Sequence, residues 1–292
     1  MNLIWLLLAC GLSEGELHSQ KHWSVLGLNA DGSLIDVRFS TGNSGMLMGQ
    51  GHARADWIPM DEGAISYRRD ALSDSTAVSP EGAQVGPDQL LQKEPNWELK
   101  IQSGELDSRL QITNHLLEAA SSDWGDWTVQ HHFAGEMQGV LRSGMQNTIV
   151  NGHVVGIYSS GSKPPGHNGK IRRAAFVLSD DIHIGVDQSG SHATAFAVIA
   201  GQQLNAQTAR IEKTDQGMHL DFRPNADLEV WLKPQKPHLQ SNPWEHLYAL
   251  EKWIAGAVYG RPVRRVRSAS AQVRLGERQL SANGLIAVNA FR

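Results

Sequence analysis

The chain has 292 residues, long for one domain and comfortable for two. Its 40% hydrophobic residues and 29 Gly are ordinary globular composition, which excludes collagen-like and disordered classes. Lys+Arg 26 against Asp+Glu 30 leaves a net charge of −4, so no basic field offers itself to nucleic acid.

The first element in chain order is an apolar run, Leu3 to Ala9, that ends at Cys10. It falls short of the ~20 apolar residues a membrane-spanning helix needs, but it suits a secretory h-region. Leu7-Leu8-Ala9-Cys10 resembles the bacterial lipoprotein box, in which the cysteine becomes the lipidated first residue. That resemblance implies a signal and tether over residues 1–18, with Cys10 holding the protein to a membrane through an N-terminal lipid. Gly11, where an inner-membrane signal would place Asp, implies an outer-membrane lipoprotein facing the periplasm. Cys10 is also the only cysteine, which excludes an intrachain disulfide.

From His22 the sequence reads as short alternating strands. His22–Leu28 and Ser33–Phe39 flank Asn29-Ala30-Asp31-Gly32, and Asp-Gly between alternating runs predicts a hairpin. The polar stretch Ser73–Lys93 reads as a loop with a short helix near Asp88–Leu91. Trp97–Ile101 and Leu110–Asn114 alternate again, and Ala119–Asp123 looks like the connection between two halves. Strands then follow in Trp127–Phe133, Glu136–Arg142, Gln146–Tyr158, Arg172–Leu178, Ile182–Asp187, Ala193–Ile199, Thr208–Lys213, His219–Phe222 and Leu228–Leu232. Asn242-Pro243-Trp244-Glu245 supplies a helix cap, and Leu247, Leu250, Ile254, Ala257 and Val258 form an apolar stripe at helical spacing. The helix near 242–259 is a packing helix, and Ala271–Leu275 and Leu285–Phe291 close the sheet after it. The fold class is all-β, divided into residues 19–122 and 123–292.

Thirteen His invite a metal hypothesis, but no HExxH or His-x-His is present. Adjacent residues on a strand face opposite ways, so His131 and His132 cannot share an ion. No metal and no cofactor is expected, since no GxGxxG or Walker loop interrupts the strands. No GxSxG is present either, and Tyr158-Ser159-Ser160-Gly161-Ser162 reads as a loop. Arg261, Arg264, Arg265 and Arg267, with Arg274 and Arg278, form the one local basic patch. It is a solvated strand face or a contact for lipid phosphates.

Trp127–Phe133, Gly135–Leu141 and the Gly-bracketed Asn151–Tyr158 before a Ser/Gly/Pro stretch resemble the tandem-lipocalin superfamily of carotenoid 1,2-hydratase, tocopherol cyclase and the survival-factor proteins. The resemblance implies two consecutive antiparallel lipocalin-like barrels around an apolar ligand such as an isoprenoid or acyl chain. The leading expectation is a membrane-tethered, non-enzymatic binding protein for a lipid or other apolar small molecule. The alternative is an isoprenoid hydratase or cyclase that protonates an alkene, with Asp126, His131, His132 or His153 as candidate acids. A third is a surface interaction scaffold using the Arg-rich strands. A large apolar cavity with no buried acid favours binding, one with a desolvated Asp or His favours catalysis, and a filled core with no cavity favours the scaffold.

Overall fold

The computed structural model describes residues 20–44, 47–61, 63–104, 106–161, 171–204, 208–223, 228–242, 249, 253 and 262–291. Cys10, the 1–18 segment and Arg261 lie outside them. So does most of the expected helix, of which Ala249 and Trp253 are described and helical.

Twelve strands build the first sheet: β1 (Gln20–Asn29), β2 (Leu34–Ser44), β3 (Leu47–Ile58), β4 (Ile65–Ala71), β5 (Thr76–Ser79), β6 (Gly82–Val85), β7 (Asp88–Lys93), β8 (Asn96–Ile101), β9 (Leu106–Asn114), β10 (Ala120–Asp123), β11 (Trp127–Ser143) and β12 (Gln146–Gly161). Their order is β4-β3-β2-β1-β12-β11-β9-β8-β7-β6-β5, with β10 added to β11. Nine more build the second: β13 (Arg172–Ser179), β14 (Ile182–Ser189), β15 (His192–Ile199), β16 (Gln202–Leu204), β17 (Thr208–Thr214), β18 (Gly217–Arg223), β19 (Leu228–Ser241), β20 (Pro262–Leu275) and β21 (Arg278–Phe291). Their order is β16-β15-β14-β13-β21-β20-β19-β18-β17. The molecule is thus an all-β fold of two curled antiparallel sheets, a near-barrel followed by a half-barrel.

The Asp31-Gly32 hairpin forms between β1 and β2, with Gly32 at φ 87°, a backbone angle that favours glycine. Two other expectations change. The Ser73–Lys93 loop is a 3-10 turn, Ser73–Ser75, followed by three short strands in which Val78, Ala83, Val85 and Leu90 alternate inward; Asp88–Leu91 is therefore strand, not helix. The sheets change over between Gly161 and Arg172 rather than after Ser122, because β11 and β12 pair with β9 and β1 and so belong to the first sheet. Ala120–Asp123 is not a bare connection but the strand β10.

Curling brings the β4 end of the first sheet to β7, where Tyr67 Oη and Arg69 Nε each donate to Asp88 Oδ2 at 2.9 Å. Strand alternation then yields three apolar clusters. Trp23, Val37, Phe39, Trp97, Phe133 and Tyr158 fill the first sheet. Ile184, Phe222, Val230, Val273 and Ile286 fill the second. Leu26, Leu34, Val155, Ile157, Phe176, Phe196, Val266 and Leu285 lie between the two. Among the described residues no helix is long and apolar enough to cross a membrane.

Candidate functional site

Plain alternation creates a polar patch on the outer face of the first sheet. On β2, Val37 and Phe39 point into the core, so Asp36 and Arg38 point out. On β1, Trp23 and Val25 point in, and His22 and Ser24 point out. The second sheet covers this patch. Arg264 of β20 forks onto Asp36, with Nε to Oδ2 and Nη2 to Oδ1 both 2.9 Å, and its Nη2 also donates to Ser24 Oγ at 2.9 Å. Arg38 donates through Nη2 to Asp56 Oδ2 at 3.1 Å, and Arg54 reaches the same carboxylate at 2.8 Å. Burial alone would raise the Asp36 carboxyl, but Arg264 and Arg38 outweigh it and hold it below the usual range.

A second ion pair lies in the same inter-sheet layer. Arg172 opens β13 and forks onto Asp187 of β14, with Nε to Oδ1 at 2.9 Å and Nη2 to Oδ2 at 2.6 Å. The Trp124 ring lies 5.4 Å from the Arg172 guanidinium carbon. His131 of β11 is 0% exposed, its ring 5.1 Å from Phe196 and 5.9 Å from Phe176. Neither of its nitrogens has a hydrogen-bond partner among the described residues. Burial, with Arg172 opposing Asp187, brings its pKa down to about 4, so the ring is neutral at pH 7.

His22 connects the two pairs and remains partly open to solvent. Burial and the fields of Arg264, Arg172 and Arg38 bring its pKa to about 3 against the opposite pull of Asp36. Five further buried polar atoms of this inter-sheet layer have no partner among the described residues: Arg38 Nε, Ser159 Oγ, Thr194 Oγ1, Trp124 Nε1 and Trp127 Nε1. The strand register explains the gathering. Gln20 lies opposite Gly161, Arg172 opposite Asn289 and Ser241 opposite Arg264, so the ends of β1, β12, β13, β19, β20 and β21 meet here.

Of the four candidate acids, only His131 lies in this layer. A bulge between His131 and Phe133 turns His132 into the first core, where its ring lies 5.1 Å from Trp23 and its Nε2 is 2.9 Å from Gln130 Oε1. Asp126 is exposed on the turn before β11. His153 joins a different group farther along β12, with its ring 5.8 Å from His183, which stacks 5.0 Å from His115. Burial, with His115 and His153 nearby, takes His183 to a pKa of about 3. His153 Nε2 pairs with Asp180 Oδ1 at 3.2 Å. Among the described residues no group of three or more His, Cys, Asp or Glu is arranged to hold a metal ion.

The Arg patch also divides. Arg264 is buried and committed to Asp36, so it is no headgroup contact. Arg265 donates to Gln240 Oε1 at 2.9 Å on the surface, and Arg267 is exposed. Ser159 and Ser160, read as loop, end the strand β12. Sequence reasoning missed His22, Asp36, Arg38, Arg172 and Asp187. Each occupies an outward strand position, which in a sequence is indistinguishable from a solvated face.

No known family profile matches the chain, and no curated protein sequence does. Solved structures do. CghA superposes with a TM-score of 0.68 at 11% identity, covering 96% of this chain and 89% of its own. CghA with Sch210972 gives 0.64 at 11% identity, covering 94% and 89%. A putative AttH of Nitrosomonas europaea gives 0.61 at 10% identity over 94% and 93%, and kievitone hydratase of Nectria haematococca 0.53 at 10% over 95% and 90%. At such identities the likeness shows the fold alone: this chain shares its architecture with lipocalin-like barrel proteins.

Proposed function

We propose that the protein binds a small, mostly apolar molecule between its two sheets and converts it by hydration or ring closure, with His131 as the acid–base or hydrogen-bonding group. One observation carries this reading: His131 is fully buried among aromatic rings with neither nitrogen partnered among the described residues. An unsatisfied buried polar group costs about 1–3 kcal/mol. Use by a ligand or a reaction is one established reason for such a group. With a pKa of about 4 the ring is a poor proton donor to an alkene at pH 7. Neutral imidazole instead offers one N–H to polarise a carbonyl and one lone pair to take a proton from water. The expected chemistry therefore moves from a bare isoprenoid alkene to an alkene conjugated with a carbonyl. A hydratase among the structures that share the fold supports small-molecule chemistry by analogy of architecture.

The test is incubation of the purified protein with a panel of unsaturated-carbonyl terpenoids and phenolics, read by mass spectrometry for added water or a cyclised isomer. His131→Leu is expected to bind the converted compound and leave it unchanged. Failure of every compound to bind, or conversion by His131→Leu at the original rate, overturns the reading.

A further inference from the structure

The hydrogen-bonding capacity left over in the inter-sheet layer is not balanced, and the imbalance has a chemical meaning. The carboxylates there are spent. Asp36 accepts from Arg264 at both oxygens, and Asp187 accepts from Arg172 at both. Asp56 Oδ1 accepts from Ser66 and Arg54, and Oδ2 from Arg38 and Arg54. What remains is donors. Arg38 Nε, Trp124 Nε1 and Trp127 Nε1 can only donate, and Arg38 Nε lies 3.6 Å from Asp36 Oδ2, too far for a hydrogen bond. Neutral His131 adds one N–H, and the hydroxyls of Ser159 and Thr194 can donate too. At His22, a partly open residue of this layer, each of three guanidiniums contributes more than the single carboxylate that opposes them.

A purely apolar ligand would leave all these donors unmet. A neutral carbonyl would satisfy one or two, but it would gain little from the guanidinium field. From these two observations, and resting on the inter-sheet site as the binding site, we infer that the ligand carries an oxyanion, a carboxylate or a phosphate, at one end of an apolar body. The oxyanion accepts from the Trp124 and Trp127 indoles, beside the Arg172 guanidinium that lies over the Trp124 ring, while the apolar body lies against Phe176, Phe196 and Ile157. Charge-assisted bonds to buried donors are short and about twice as strong as neutral ones, so the charge adds affinity.

The experiment compares decanoate, decyl phosphate and decan-1-ol, each titrated below its aggregation limit into the full chain at pH 7.5. Calorimetry supplies the affinities. The indole N–H resonances of Trp124 and Trp127, assigned with Trp124→Phe and Trp127→Phe, report whether the head reaches the site. One or both anions are expected to bind at least tenfold more tightly than the alcohol and to move both indole resonances. The better anion identifies the head as carboxylate or phosphate. Trp127→Phe, which keeps the aromatic body, is expected to weaken the anion severalfold and to leave the alcohol unchanged. Equal binding of alcohol and anions with both indoles shifted would overturn the oxyanion inference and leave the inter-sheet binding site standing. Binding of none of the three, or binding without movement of either indole, would overturn the inference together with the site on which it rests.

Discussion

Replacing His131 with leucine is expected to stabilise the protein while abolishing its chemistry. The ring is completely buried, contacts Phe176 and Phe196, and has two polar atoms without partners among the described residues. Leucine keeps apolar bulk at the position and removes those atoms, so the unsatisfied-group penalty of about 1–3 kcal/mol is relieved at pH 7.5. The difference should grow in acid, and its sign follows from linkage. The folded pKa of about 4 lies below the unfolded value of 6.5. Above pH 6.5 the ring is neutral in both states and pH has no leverage. Between pH 6.5 and pH 4 the unfolded chain takes up a proton that the folded chain refuses, and stability falls by about 1.4 kcal/mol per pH unit. The loss levels off near pH 4 at about 3 kcal/mol. Urea denaturation of wild type and His131→Leu at pH 7.5, 6.0 and 5.0 reads both effects. The variant should gain at pH 7.5, and its advantage should widen at each lower pH. A variant less stable than wild type at pH 7.5, or an advantage that stays constant with pH, would refute the reasoning: His131 would then hold the fold together.

Two further outcomes follow from the packing of the sheets, and a third from the sequence. Arg264→Met strands a buried Asp36 carboxylate and should cost about 3–5 kcal/mol, whereas Asp36→Leu with Arg264→Met should recover most of that loss; a double variant no more stable in urea than the single would sink the account. Gly156→Ala would place its methyl about 2.1 Å from Phe133 Cζ in the first core, so a loss of about 1–3 kcal/mol is expected from thermal melts, and an unchanged melt would contradict the packing. The resemblance of Leu7-Leu8-Ala9-Cys10 to a lipoprotein box implies that Cys10→Ser moves the protein from a membrane to a soluble fraction; continued partition with membranes would defeat that expectation.

Much of the framework was legible from residue order. The Asp31-Gly32 hairpin and the alternation of Trp97–Ile101 are local signals, and they carried through because period-2 burial leaves a mark in the chain itself. His131 and His132 separated as adjacent strand residues should, although a bulge assists. What escaped was everything set by pairings far apart in sequence. Asp36 meets Arg264 across 228 positions, and no local pattern announces a partner at that distance. The extra strands β5 to β7 were hidden for a related reason. Their turns contain enough Gly, Pro and Glu to look like loop, and strands of four to six residues carry too few inward positions to outweigh them. The boundary between the halves moved because β12 serves β1, its neighbour across the sheet, and not the strands that follow it.

β21 is the middle strand of its sheet: it lies between β13 and β20 and hydrogen-bonds to both. Without β21 the sheet divides into two half-sheets, β13 to β16 and β17 to β20. Closure of the second sheet therefore rests on contacts of long sequence separation. Arg172 and Arg264 sit on those two half-sheets, and both stand opposite Asn289. Removal of the fourteen residues of β21 would leave the two guanidiniums on unjoined pieces and is expected to open the second sheet.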